Sequence, residues 1–252
     1  MRPLRHRGRA ALPSAPISTL AAALAVLVAV STGQATAEPL RGAVVVQPTQ
    51  SLAVLLESQA ARTAPDARSA VLQRVAKRRP ITEERTVLPV IGRRRGPGGG
   101  VWLRVLLPGR PNGHAGWIRR SATGAASTRW HIVVDTSSRT VTAYRSGRPV
   151  RVFKAVVGVP STPTPTGTFF IEESVQLRAG DVGAPFALAL SARSTVLQEF
   201  AGGPGQIALH GLSNVGGVLG TAASHGCVRL DNDAMRWFVL RVGPGVPVTI
   251  TG

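Results

Sequence analysis

Acidic residues are scarce in this sequence: 12 Asp and Glu stand against 30 Lys and Arg, a formal net charge of +18. The deficit is uneven, since residues 38–129 carry 16 basic and 5 acidic side chains while 130–252 carry 10 and 7. Nucleic-acid binding is the usual inference from such a charge. An exported chain, however, meets other polyanions first, and anionic envelope polymers are the expected attraction. An arginine-rich composition with no partner behind it accounts for the same count. Long apolar runs are missing after residue 30, so no later segment is expected to span a membrane. There is no internal repeat. Cysteine is the scarcest chemically informative residue, with Cys227 alone in the chain.

The N-terminus supplies the compartment. Arg2, Arg5, Arg7 and Arg9 form a basic start, Ile17 to Val30 is apolar and Ala-rich, and Ala35-Thr36-Ala37 has the small-x-small pattern of a signal peptidase site. Residues 1–37 therefore read as a signal peptide cleaved before Glu38. A retained anchor is the alternative, although the apolar stretch falls short of the roughly 20 residues a spanning helix needs. Exported proteins generally use cysteines in pairs. One left over indicates intermolecular pairing or a reactive thiol, and the commonplace alternative is a small buried hydrophobe.

Pattern along the chain predicts a mainly β protein. In the basic segment 38–79, Asp66 and the spacing of Ala70, Val71 and Val75 predict an amphipathic helix over Asp66–Arg79. Short strands are expected at 86–91, 102–107 and 116–118, between Gly/Pro-rich turns. Val101-Trp102-Leu103-Arg104-Val105, a turn, then Gly116-Trp117-Ile118 resembles a small SH3-like β module over 80–121. The small residues of 122–129 read as a linker. From 130 to 252 strands are expected at 132–134, 140–144, 152–157, 168–172, 186–190, 206–209 and 246–250. One C-terminal helix is expected over 233–241, capped by Asp231 or Asn232 and stopped by Gly243-Pro244-Gly245.

A thiol attacks a carbonyl carbon as thiolate, so Cys227 needs a base or a positive charge nearby. Two histidines qualify. His225 lies two residues before it, and His210 ends the apolar stretch Ile207-Ala208-Leu209. Spacing alone leaves both open. Gly226, lacking a Cβ, permits a sharp turn through which backbone N–H groups at Gly226 and Cys227 converge on an oxyanion. Ser224 is placed to hydrogen-bond a histidine and fix its tautomer. Arg229 falls on the Cys227 side of an extended segment, where it would bind a substrate carboxylate; a solvated arginine is the alternative.

His210-Gly211, then Ser224-His225-Gly226-Cys227-Val228-Arg229, with Thr164-Pro165-Thr166-Gly167-Thr168-Phe169 upstream, resembles the L,D-transpeptidase catalytic domain family (YkuD-like) over about 130–251. The resemblance implies a sheet-based catalytic domain acting on peptidoglycan stem peptides. Cys227 would attack the L,D bond of a tetrapeptide stem, release D-Ala, and pass the acyl group from a thioester to an amine, making a 3 to 3 cross-link. It also implies that His210 moves the proton, that His225 and Ser224 support the site, and that Gly211 lies with Arg229 at the substrate. No cofactor is implied. Water as acceptor would make the enzyme an L,D-carboxypeptidase.

Three other readings compete. Zinc hydrolysis would use His210, His225 and Cys227 as ligands, but no Asp or Glu lies between Glu199 and Asp231 as a local base. A papain-like peptidase needs a histidine after its cysteine, and none follows Cys227. A catalytically silent wall-binding protein would rest on the basic N-terminal half.

Overall fold

Gly/Pro punctuation and short β-branched runs leave little room for helices, and the computed structural model is built accordingly. It describes residues 44–200 and 202–252; the expected signal segment and its cleavage site lie outside them. The described residues form seventeen strands, one α-helix and one 3-10 turn at Arg120–Ala122. The fold is mainly β.

Seven strands make the N-terminal sheet: β1 (Gln50–Leu55), β2 (Gln59–Arg62), β3 (Val71–Val75), β4 (Val87–Arg95), β5 (Val101–Leu106), β6 (Ala115–Arg119) and β7 (Thr123–Thr128). Their order is β3-β2-β6-β5-β4-β1-β7. The three strands expected between 86 and 118 are present, but the sheet takes in more of the chain. Residues 66–79 hold no helix. The Asp66 carboxylate accepts the Arg68 N–H at 2.9 Å, closing a local turn instead of capping a helix. Val71–Val75 then pairs antiparallel with β2, with Gln59 opposite Val75. The expected linker is likewise a strand: β7 pairs with every residue of β1, from Gln50 with Thr128 to Leu55 with Thr123.

The C-terminal region contributes β8 (Trp130–Asp135), β9 (Thr140–Arg145), β10 (Arg148–Lys154), β11 (Val157–Gly158), β12 (Gly167–Gln176), β13 (Phe186–Arg193), β14 (Gln206–His210), β15 (Ala222–Ser224), β16 (Val228–Arg229), α1 (Asn232–Val239) and β17 (Pro247–Thr251). Eight of these strands form one sheet in the order β10-β9-β8-β17-β12-β13-β14-β16, while β11 and β15 pair separately and in parallel. Asp231 caps α1 by accepting the Ala234 N–H at 2.7 Å. Met235 and Phe238 on that helix are buried in the C-terminal core.

Strand β12 joins two cores. Successive residues on a strand point to opposite faces, so Phe169 enters the core of the eight-stranded sheet and Phe170 enters that of the N-terminal sheet. Burial of each ring contributes about 2–3 kcal/mol. Beyond Ile171, Glu172 and Glu173 carry charge into the same seam. Glu172 pairs with Arg79 and lies 3.0 Å from Arg193 Nη1, and Glu173 accepts the Thr82 N–H at 2.9 Å. Residues 79–82, from the N-terminal region, are thus fastened to β12.

His131 sits on β8 with Nε2 2.8 Å from Thr249 Oγ1 of β17. Burial pushes its pKa down to about 4, whereas an unfolded histidine titrates near 6.5. Between those values the unfolded chain binds the extra proton. The resulting stability is fully present above about pH 6.5 and is lost as pH falls towards 4. Unfolding free energy is therefore expected to fall as pH drops across that window, by at most about 3 kcal/mol before discounting for partial exposure, and thermal melts should shift downward with it. His131→Gln should flatten the dependence.

Candidate active site

Strand β14 is anchored by its buried Ile207 and Leu209. It pairs in parallel with β16, Leu209 beside Val228 and His210 beside Arg229. Because β16 begins immediately after Cys227, the cysteine is delivered to the strand that ends in His210. The thiol lies above β14, with Sγ 4.0 Å from the Gln206 carbonyl.

The turn before Cys227 is held from inside. Gly226 has φ +118°, a region glycine occupies without strain, and a Cβ there would stand 3.0 Å from Ile207 Cδ1. Ser224 does not reach a histidine. Its buried hydroxyl donates to the Cys227 carbonyl at 2.5 Å and accepts the Gly226 N–H at 3.2 Å. That bond occupies the Gly226 donor, whereas the Cys227 N–H meets no acceptor among the described residues. Thr164 braces the turn from the far side by donating to the Gly226 carbonyl at 2.9 Å and accepting the Gly158 N–H at 2.9 Å. The Thr-Pro-Thr-Gly stretch thus earns its place by contact with the cysteine turn.

His210 is fixed in tautomer by its neighbour. Its Nδ1–H donates to the Gly211 carbonyl at 2.8 Å, leaving Nε2 as a proton acceptor. Gly211, expected at the substrate, is instead buried, where a Cβ would meet the Ala184 carbonyl oxygen at 2.0 Å. Asn232 secures the same corner, accepting the Leu212 N–H at 3.0 Å and donating to Ser213 Oγ at 2.8 Å. Gly183 lies against the imidazole: a Cβ on it would stand 2.4 Å from His210 Nδ1. Sequence reasoning missed Gly183 and Asn232. Neither belongs to the motif, and only the helix start at Asp231 hinted at the second.

Burial sets the protonation states. It pushes the His210 pKa down, reinforced by Arg229 and opposed by the Gly211 hydrogen bond. It pushes the Cys227 thiol up, against smaller lowering effects from the Ala208 backbone and Arg229. At neutral pH these directions leave a neutral imidazole and a thiol.

Arg229 donates through Nη1 to the Gly216 carbonyl and to that of Ala223 at 3.5 Å. Its Nε has no partner among the described residues. His225 is exposed and stacks on Phe200, ring centroids 5.6 Å apart. A cleft of about 240 Å³ brings together His210, His225, Cys227 and Arg229, walled by Val182, Leu197, Phe200 and Val215. A larger hollow of about 820 Å³, lined by Arg68, Trp102, Arg119 and Arg120 among others, lies on the N-terminal sheet and contains neither cysteine nor histidine. Among the described residues no three His, Cys, Asp or Glu side chains converge as metal ligands.

Residues 129–250 match the model of the L,D-transpeptidase catalytic domain. The putative L,D-transpeptidase YkuD of Bacillus subtilis is 30% identical over 146 residues, covering 58% of this chain and 73% of that protein. L,D-transpeptidase 1 of Mycobacterium tuberculosis is 30% identical over 132 residues, covering 48% of this chain and only 49% of the relative's length. Among solved structures, an L,D-transpeptidase from Mycobacterium smegmatis aligns over 60% of this chain and 90% of its own, with 19% identity and a TM-score of 0.39.

Proposed function

Because the chain belongs to the L,D-transpeptidase catalytic domain family, we propose that it is an exported cysteine acyltransferase of peptidoglycan stem peptides, acting in the cell wall or periplasm. The observation that carries this reading is His210, kept neutral by burial, its Nδ1–H committed to the Gly211 carbonyl and its Nε2 without a partner among the described residues, in one cleft with Cys227. In the first step His210 Nε2 takes the Cys227 proton as sulfur attacks the carbonyl carbon of the L,D bond. The oxyanion takes up the Cys227 N–H, a type of donor worth about 3–4 kcal/mol to the transition state. Collapse breaks the C–N bond, His210 returns the proton to the departing D-Ala amine, and a thioester remains. The side-chain amine of a second stem then attacks, losing its proton to His210, and sulfur leaves to give the 3 to 3 link. Water in place of that amine would give a carboxypeptidase.

Supporting roles follow from the contacts. Ser224 and Gly226 shape the turn, and His225 stands at the rim on Phe200. Arg229 lines the cleft and spends Nη1 on carbonyls while Nη2 makes no hydrogen bond among the described residues, which supports capture of a substrate carboxylate. The basic outer row of the N-terminal sheet, with Arg94 and Arg119 flanking Trp102 in register and the Arg119 guanidinium 5.6 Å from the indole, supports attraction to anionic envelope polymers.

The decisive test is incubation of residues 38–252 with a purified disaccharide-tetrapeptide, read by mass spectrometry. Loss of D-Ala with dimer formation is the expected outcome. Tripeptide without dimer would move the assignment to carboxypeptidase, and no reaction beside an active control would overturn it. Alkylating Cys227 should abolish the reaction while leaving binding to insoluble wall intact; binding without any reaction would mark a wall-binding protein.

A further inference from the structure

One wall of the Cys227 cleft is the connection between β13 and β14, described at residues 194–200 and 202–205, which contributes Ser194, Leu197, Phe200 and Gly205 to the lining. The loop is pinched at its base, where the Ser194 N–H donates to the Gly205 carbonyl at 2.7 Å. Three of its carbonyls, however, are satisfied from outside the catalytic sheet. Arg110, between β5 and β6 of the N-terminal sheet, donates from Nη1 to Pro204 at 2.9 Å and from Nη2 to Ser194 at 2.9 Å and Leu197 at 3.0 Å. Two residues on, Asn112 holds the strand entering the loop: its Oδ1 accepts the Arg193 N–H at 2.8 Å and its Nδ2 donates to the Arg193 carbonyl at 2.7 Å. Gly205 leaves no slack, since a Cβ there would stand 2.2 Å from the Leu197 carbonyl oxygen and 3.3 Å from Arg110 Nη2.

A guanidinium on three carbonyls of one loop is a geometric clamp, because its planar fork fixes the directions from which they are met. Arg110 has no carboxylate partner among the described residues, so its charge-assisted donors are spent on this loop. We propose that Arg110 is a positioning residue of the catalytic cleft: the N-terminal sheet braces the loop carrying Leu197 and Phe200, and thereby sets how the substrate fits beside Cys227. The clamp leaves the thiol and His210 untouched. It acts on binding geometry rather than on the nucleophile.

The activity readout rests on the acyl-transfer reading above, and a second readout does not. In hydrogen–deuterium exchange on the full chain, Arg110→Ala should speed exchange of the 194–205 amides about tenfold while α1 keeps its protection. Alkylation of Cys227 by iodoacetamide should keep its wild-type rate. With a tetrapeptide donor, KM should rise about tenfold and kcat change less than about threefold. Arg110→Lys should restore part of both effects, since an ammonium reaches some of the carbonyls but cannot form the fork. Unchanged exchange in 194–205 would overturn the proposal. So would faster exchange throughout the chain with faster alkylation, which would make Arg110 a general stability residue. Absence of wild-type D-Ala release would count against the enzymatic reading alone, because exchange still decides whether the clamp exists.

Discussion

Cys227→Ala is expected to reduce D-Ala release from a tetrapeptide stem by about 10⁵-fold or more, to the uncatalysed background, without unfolding the protein. The size of the effect follows from covalent catalysis. Sulfur carries the acyl group between donor and acceptor, and no neighbouring side chain replaces it: Ser224, the nearest hydroxyl in sequence, is buried and engaged with the Cys227 carbonyl and the Gly226 N–H. The substitution removes only one heavy atom from a side chain at the edge of a cleft. The turn is held by backbone and by Thr164 instead, so the melting temperature should stay within about 4 °C. Intact-protein mass spectrometry of the wild type after mixing with donor should show a thioester adduct that Cys227→Ala lacks. Residual turnover in the variant above one part in about 10³ of wild type would remove Cys227 from the mechanism.

The parts of this site readable in the sequence are those whose meaning is local. Ser224-His225-Gly226-Cys227 is a single turn, and its Gly226 does adopt the positive φ that such a turn requires. His210 ends a strand whose apolar run, Ile207-Ala208-Leu209, is visible without a fold. The start of α1 follows from Asp231, whose carboxylate caps it through Ala234, whereas the helix ends at Val239, two residues before the expected 241. What sequence pattern misplaces is decided by partners far away in the chain. Ala70, Val71 and Val75 fit a helical spacing, yet an open edge at β2 offers a full ladder, and hydrogen bonding across it overrides weak helical propensity. The small residues of 123–128 look like a linker because nothing in them signals burial, but β1 pairs with all six. Ser224 illustrates the same limit within the motif: its residue type fits a histidine partner equally well, and only the direction of the turn assigns it to the Cys227 carbonyl.

His210→Asn should lower kcat for D-Ala release by about 10²–10⁴-fold, the usual range for loss of a general acid–base group. Asparagine is the informative replacement because its amide N–H can keep the bond to the Gly211 carbonyl while offering no basic nitrogen. The wild-type acid limb should follow His210 itself. With its pKa pushed below the ordinary 6.5 by burial and by Arg229, the imidazole stays neutral through pH 7, and kcat/KM should fall only as pH drops below about 6.5. At the other end, a thiol whose pKa is raised by burial gains reactivity as pH climbs past its ordinary value of about 8.5. His210→Asn should therefore lose the acid limb and retain the alkaline rise, because hydroxide can still generate the thiolate when the imidazole cannot. The same measurement separates the two histidines. If His225→Asn removes the acid limb and His210→Asn preserves it, the exposed ring stacked on Phe200 is the base, and the half-buried one holding Gly211 is structural.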